Sequence, residues 1–150
     1  MSRTVTITGT RSTGHRPVTE YEALFREWLG PFEADAHFYI GGANGIDSLT
    51  LLWLAGNTDA SLTVVVPSTV DQQPSEARQA ITRVRTRVEE IVELGADTLN
   101  SDTYHARNRW MVDHTTMTIG FPRAGQLGSG TWQTLTYTRD QGKPHLIVPV

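Results

Sequence analysis

The chain has 150 residues, 38% of them hydrophobic and 19% charged, with a formal net charge of −3 and no cysteine. That length suffices for the core of one domain, and the missing cysteines exclude disulfides, thiol nucleophiles and Cys-ligated zinc. The acidic balance argues against whole-surface attraction to nucleic acid but leaves room for a local basic patch.

No apolar run is long enough to span a bilayer, and Met1-Ser2-Arg3-Thr4 leads into a strand rather than a signal peptide, so a cytoplasmic setting is expected. The β-branched run Thr4-Val5-Thr6-Ile7-Thr8, ending at Gly9, is the first strand. After a polar loop to Pro17, Thr19 and Glu22 form a candidate capping box. The helix they open carries Tyr21, Leu24, Phe25, Trp28 and Leu29 on one face, and Gly30-Pro31 ends or kinks it. His37 to Ile40 is a second strand, and Ile46 to Ala55 a buried helix closed by Gly56-Asn57. Leu62 to Val66 is a third strand, apolar enough to be covered on both faces.

Pro74 suits the first turn of a further helix, which places Ile81, Val84, Val88 and Ile91 inward and runs to Gly95. Its arginines, Arg83 and Arg87, read as a solvated face. Asp97 to Asn100 reads as a short strand, and Ser101 or Asp102 as the cap of a helix carrying Tyr104, Arg107, Asn108, Arg109, Trp110 and Met111. Thr115 to Ile119 is a fifth strand, Gly120 to Gly130 a long loop, Thr131 to Asp140 a helix and His145 to Val148 the last strand. Strands alternate with helices throughout. The pattern predicts an α/β sandwich: a mainly parallel, Rossmann-like sheet of about six strands with helices on both faces, in one domain spanning residues 1–150.

Such sheets bind ligands beyond the carboxyl ends of their strands, near the reversal of strand order. Four loops should converge there: Gly9 to Arg16, Gly41 to Asp47, Asn100 to Arg109 and Gly120 to Thr131. In Gly41-Gly42-Ala43-Asn44-Gly45-Ile46-Asp47, three glycines at a strand-to-helix turn allow positive φ and close approach. Two readings fit: an anion cradle at a helix N-terminus, or a turn where glycine permits tight helix–strand packing. Asp47 could receive a ribose hydroxyl or stabilise its own helix start.

Gly128-Ser129-Gly130-Thr131 offers backbone N–H groups and two hydroxyls, a phosphate nest or ordinary helix capping. It is not a Walker A loop, because no lysine follows the glycines, and no GxGxxG follows the first strand. Residues advance about 100° each on a helix, so Arg107 and Arg109 diverge and do different jobs; Arg11 is a third phosphate ligand candidate. The five histidines show no metal spacing and no Ser-His-Asp order can be argued; His15 and His105 read as surface residues. No metal or cofactor is implied.

Gly9-Thr10-Arg11, the Gly41 to Asp47 stretch, Arg107-Asn108-Arg109 and Gly128-Ser129-Gly130-Thr131, in that order, resemble the SLOG superfamily. That group includes the DNA-processing proteins DprA (Smf) and the LOG phosphoribohydrolases. The likeness is greatest to the DprA Rossmann domain, whose corresponding stretches read roughly GSR, GGARGID, RNR and SGS. The resemblance implies a Rossmann-like fold binding nucleotides, nucleotide derivatives or single-stranded DNA. By position, Gly9, Thr10, Arg11, Gly41, Gly42, Gly45, Asp47, Arg107, Asn108, Arg109, Gly128, Ser129, Gly130 and Thr131 would form the site.

LOG enzymes carry a PGGxGTxxE loop, whereas Gln126 to Thr134 has neither Pro-Gly-Gly nor a carboxylate. Stabilising an oxocarbenium or activating water then has no obvious agent. A stand-alone domain binding a phosphorylated nucleotide or nucleotide-derived ligand is therefore expected. DprA-like binding of single-stranded DNA is the alternative, and LOG-like N-glycoside hydrolysis of nucleoside 5′-monophosphates ranks third. A homodimer is expected, both because SLOG relatives commonly pair and because Trp28, Trp110 and Trp132 offer much apolar surface.

Overall fold

The computed structural model describes residues 3–150; Met1 and Ser2, which the sequence reads as leading into the first strand, lie outside it. Six strands, β1 (Arg3–Gly9), β2 (Ala36–Gly41), β3 (Ser61–Val66), β4 (Val88–Glu93), β5 (Met117–Phe121) and β6 (His145–Ile147), form one sheet. Its order is β4-β3-β2-β1-β5-β6, and every neighbouring pair is parallel. Five helices connect them: α1 (Val18–Trp28), α2 (Ile46–Asn57), α3 (Ser75–Arg83), α4 (Ser101–Asp113) and α5 (Gly130–Asp140). The chain adds strands outward from β1 to β4, then returns to the other side of β1 for β5. The order reverses between β1 and β5, and the carboxyl ends of those two strands mark the expected crevice.

The two faces of the sheet differ in chemistry. Val5, Ile7, Phe38, Ile40, Leu62, Val64, Ile119 and Phe121 are fully buried in the main apolar core with Phe25, Ile46 and Leu54 of α1 and α2. Phe25 meets Phe121 edge-on, with ring centroids 5.4 Å apart. The opposite face, under α4 and α5, is rich in threonine. Thr6 pairs with Thr115 through hydroxyls 2.7 Å apart, and Thr138 of α5 donates to Thr118 of β5 at 2.8 Å. The β-branched stems pack while each hydroxyl finds a partner, which buried hydroxyls require.

The sequence reading goes astray between Pro74 and Asn100. The helix starting after Pro74 stops at Arg83; a single helical turn covers Arg85–Arg87, and Val88–Glu93 is the edge strand β4 rather than the helix's continuation. Residues 81, 84, 88 and 91 have helical spacing, but Val88, Ile91 and Val92 are β-branched. Backbone pairing with β3, from Leu62↔Val88 to Val66↔Glu93, outweighs the periodicity. Arg87 is not merely solvated: its guanidinium donates to the carbonyls of Thr58 and Ala60 at 2.8 and 3.1 Å.

Asp97 to Asn100 is not a strand. Asn100 itself caps α4, its side chain accepting from Thr103 N at 3.0 Å while Thr103 Oγ1 accepts from Asn100 N at 2.9 Å. Neither Ser101 nor Asp102 is the cap. The proposed Thr19–Glu22 capping box is absent too, because α1 begins at Val18 with Pro17 before it and no side-chain cap. No described helix is long and apolar enough to cross a membrane.

Candidate nucleotide-binding crevice

A crevice of about 610 Å³ opens at the β1/β5 reversal, within the range of small-molecule sites. The β1–α1 loop supplies Gly9, Thr10 and Arg11, the first turns of α4 supply Tyr104, Arg107 and Asn108, and the start of α5 supplies Ser129, Gly130 and Thr131. Asp47 reaches it from α2.

Arg107 is 3% exposed, an unusual place for a guanidinium. Its Nε donates to Asn108 Oδ1 at 2.8 Å and Nη1 donates to the Val65 carbonyl at 3.3 Å. Gly41 makes room for it. A Cβ on Gly41 would lie 2.6 Å from Arg107 Nη1 and 2.8 Å from Asp47 Oδ2, so both side chains crowd the same bare Cα.

Asp47 is 7% exposed. Burial raises its pKa to about 7, while Arg107, the Ala43 N–H donating at 3.3 Å, and Arg11 each pull it back down. Burial likewise lowers the Arg107 pKa against the opposing pull of Asp47, but a guanidinium stays protonated in any folded protein. Arg107 is thus a fixed buried cation beside a carboxyl that is only partly ionised near neutrality.

The other arginine stands in the open. Arg11 is exposed, and its Cζ lies 4.3 Å from the Tyr104 ring centroid; Arg107 Cζ lies 5.8 Å from the same ring. Tyr104 and Arg107 are three residues apart on α4, hence on one side of the helix. Across the crevice, Ser129 caps α5 by accepting from Trp132 N at 3.5 Å. The N–H groups of Gly130 and Thr131, in the first helical turn, have no intrahelical partner.

Not every predicted site residue lies here. Gly45 has φ +75°, and its absent Cβ would sit 2.5 Å from Thr10 O and 2.6 Å from Arg11 Cα. Ile46 N donates to Thr10 O at 3.0 Å. The glycine turn is therefore the joint on which the β1–α1 loop rests. Gly42 faces Val66 and Ile81 on the far side. Arg109 and Gly128 line a separate groove between α4 and α5, so Arg107 and Arg109 do diverge. Tyr104, Asn100, His105 and Gln126 join the crevice without having been proposed as phosphate ligands, and His105 is half-buried rather than a plain surface residue. Among the described residues lining the crevice, Asp47 is the one carboxylate; no described cluster of His, Asp and Glu is arranged to hold a metal.

This architecture occurs in solved structures of DNA processing protein A. The Helicobacter pylori protein superposes with a TM-score of 0.74 at 20% identity, over 99% of this chain and 66% of its own. The Streptococcus pneumoniae protein does so with a TM-score of 0.74 at 17% identity, over 99% of this chain and 51% of its own. The fold is that of DprA. This chain spans just under two thirds of the Helicobacter DprA and about half of the Streptococcus DprA, and at such identity the likeness concerns the fold. The Helicobacter DprA binds single-stranded DNA. No protein-family model matches the chain, nor does any curated protein sequence.

Proposed function

We propose that the crevice binds the phosphate of a nucleotide or nucleotide-derived ligand. The observation that carries this reading is the buried Arg107, which has no carboxylate within salt-bridge distance among the described residues. Leaving a cation uncompensated in the interior is costly, and an anion in the crevice relieves that cost. Arg11 adds a second, adjustable positive charge, and the free N–H groups at the start of α5 suit phosphate oxygens. Gly9, Thr10, Asp47, Asn108, Ser129 and Thr131 complete the walls.

Calorimetric titration with nucleoside mono-, di- and cyclic phosphates tests this. Arg11→Ala is the informative variant, because Arg11 is exposed and its removal leaves the core untouched. Saturable binding by wild type, weakened about tenfold in Arg11→Ala by loss of one charge-assisted contact, is expected. A null across the panel would end the proposal.

A second reading, binding of single-stranded DNA, is supported by the fold shared with the Helicobacter DprA. Tyr104 would serve as a stacking platform and Arg11 with Arg109 as backbone contacts. Arg16 and Arg123 are less free: Arg16 pairs with Glu20 at 3.8 Å, and Arg123 donates to Ser12 Oγ at 3.0 Å. With two phosphates contacted, the logarithm of affinity for an oligothymidylate should fall against the logarithm of salt with a slope of roughly −1.4. Absent or salt-independent binding in fluorescence anisotropy removes this reading and leaves the first intact.

A further inference from the structure

Between α4 and α5 runs a groove of about 380 Å³ that nothing in the crevice chemistry uses. It adjoins the crevice, because His105 and Asn108 line both. We infer that this groove is a base subsite: a nucleotide held by its phosphate in the crevice lays its base between α4 and α5. The inference rests on the phosphate reading proposed above and adds the direction in which the ligand extends.

Three observations carry it. The groove's lining carries one cation, Arg109, and one carboxylate, Asp140, which pairs with Arg139 at 3.4 Å, and the Trp132 indole and Leu127 form a wall. That suits a planar, uncharged ring and not a second phosphate. Leu127 is 76% exposed at the rim, one of the few large apolar side chains left in water among the described residues, and a ring seated in the groove would cover it. The third observation is the orientation of Asn108. Its Oδ1 accepts from Arg107 Nε at 2.8 Å, so its amide N–H₂ end is the one left to donate. One residue therefore links the phosphate-binding arginine to a donor shared with the groove, where a ring nitrogen or carbonyl of a base would accept. The Trp132 Nε1 donor is also sheltered from solvent without an acceptor in the described protein.

The test compares ribose 5-phosphate with AMP, GMP, CMP and UMP by calorimetry on the intact chain. At least one nucleotide should bind about tenfold tighter than ribose 5-phosphate, the order expected for one stacked base. Thr136→Trp fills the groove from an exposed position on α5 and should reduce that nucleotide to the affinity of ribose 5-phosphate, which itself stays unchanged. Leu127→Ala, at a side chain too exposed to affect folding, should remove part of the same advantage and carries the test if Thr136→Trp does not fold. Equal binding of sugar phosphate and nucleotides by wild type would overturn the groove inference while leaving the phosphate crevice standing. So would a nucleotide advantage that survives these variants. Failure of ribose 5-phosphate and all four nucleotides to bind would overturn the phosphate reading, and the groove inference with it.

Discussion

Replacing Gly45 by alanine separates a glycine that serves the fold from one that serves a ligand. Its backbone, at φ 75° and ψ −126°, lies where side chains are rarely tolerated, and forcing alanine there costs about 1–3 kcal/mol. The new Cβ would also stand 2.5 Å from Thr10 O and 2.6 Å from Arg11 C and Cα. All three are backbone atoms, and Thr10 O is held by Ile46 N at 3.0 Å, so neither side can yield cheaply. Overpacking of this kind adds about 1–3 kcal/mol. A total near 4 kcal/mol is a large part of a typical domain's stability and should lower Tm by roughly 8–16 °C in a chain of this size.

Gly125 provides the control. It also has positive φ, at 83°, but nothing lies within 4 Å of its would-be Cβ, so Gly125→Ala should cost only about 1–2 kcal/mol. Calorimetric melting of both variants against wild type is the assay. Below its melting transition, Gly45→Ala should still bind nucleotide, more weakly than wild type because the β1–α1 loop that carries Arg11 must shift. A Gly45→Ala Tm within about 2 °C of Gly125→Ala, or a full loss of binding with normal melting, would refute the joint and restore the cradle.

Other consequences follow from the buried polar groups. The folded-state pKa of Asp47, about 7, is above its ordinary 3.8. The native state therefore holds a proton there that the unfolded chain has released, and stability from this group is full below pH 4 and lost as pH rises through 7. The loss is at most about 4 kcal/mol. Asp47→Asn, which retains an acceptor for Ala43 N–H, should flatten the fall in Tm between those pH values; parallel wild-type and variant curves would show Asp47 to be ionised throughout. Thr118 and Thr138 share one buried hydroxyl contact. Thr118→Val removes that contact while Thr138 keeps its bond to the Thr134 carbonyl at 2.8 Å, so it should cost only about 1 kcal/mol, and the double variant Thr118→Val/Thr138→Val should cost less than the sum of the two singles; additive denaturation energies would deny the coupling. Asn100→Ala removes a reciprocal cap at an exposed helix start and should cost about 1 kcal/mol in urea unfolding, whereas no change would show that the cap contributes nothing.

Most of the sheet was legible because its inner strands announce themselves. Thr4 to Thr8 and Leu62 to Val66 are β-branched or apolar throughout, and each ends where a loop or a proline begins. Strand β4 was not legible. At the edge of the sheet one flank is unpaired, so its sequence mixes Glu89, Glu90 and Glu93 with Ile91 and Val92 and satisfies a helical period by chance. The crevice was legible as a convergence of loops, since alternating strands and helices place every βα loop at one end. What one sequence does not display is which atoms face the opening. Gly45 and Gly42 look equivalent to Gly9 in the chain, yet Gly45 supports the β1–α1 loop from behind, Gly42 faces Val66 and Ile81, and Gly9, although it lines the crevice, also makes room for Ile46. Tyr104 had a usable signal in its three-residue spacing from Arg107, which puts the ring and the guanidinium on one side of α4.

The central claim, that an anion seats between the β1–α1 loop and the start of α5, is tested most directly by amide NMR shifts during titration with ribose 5-phosphate. Saturable shifts should concentrate on Thr10, Arg11, Gly130 and Thr131, and they should weaken in Arg11→Ala. Shifts confined to surfaces away from the β1/β5 reversal, or no shifts at millimolar ligand, would contradict it.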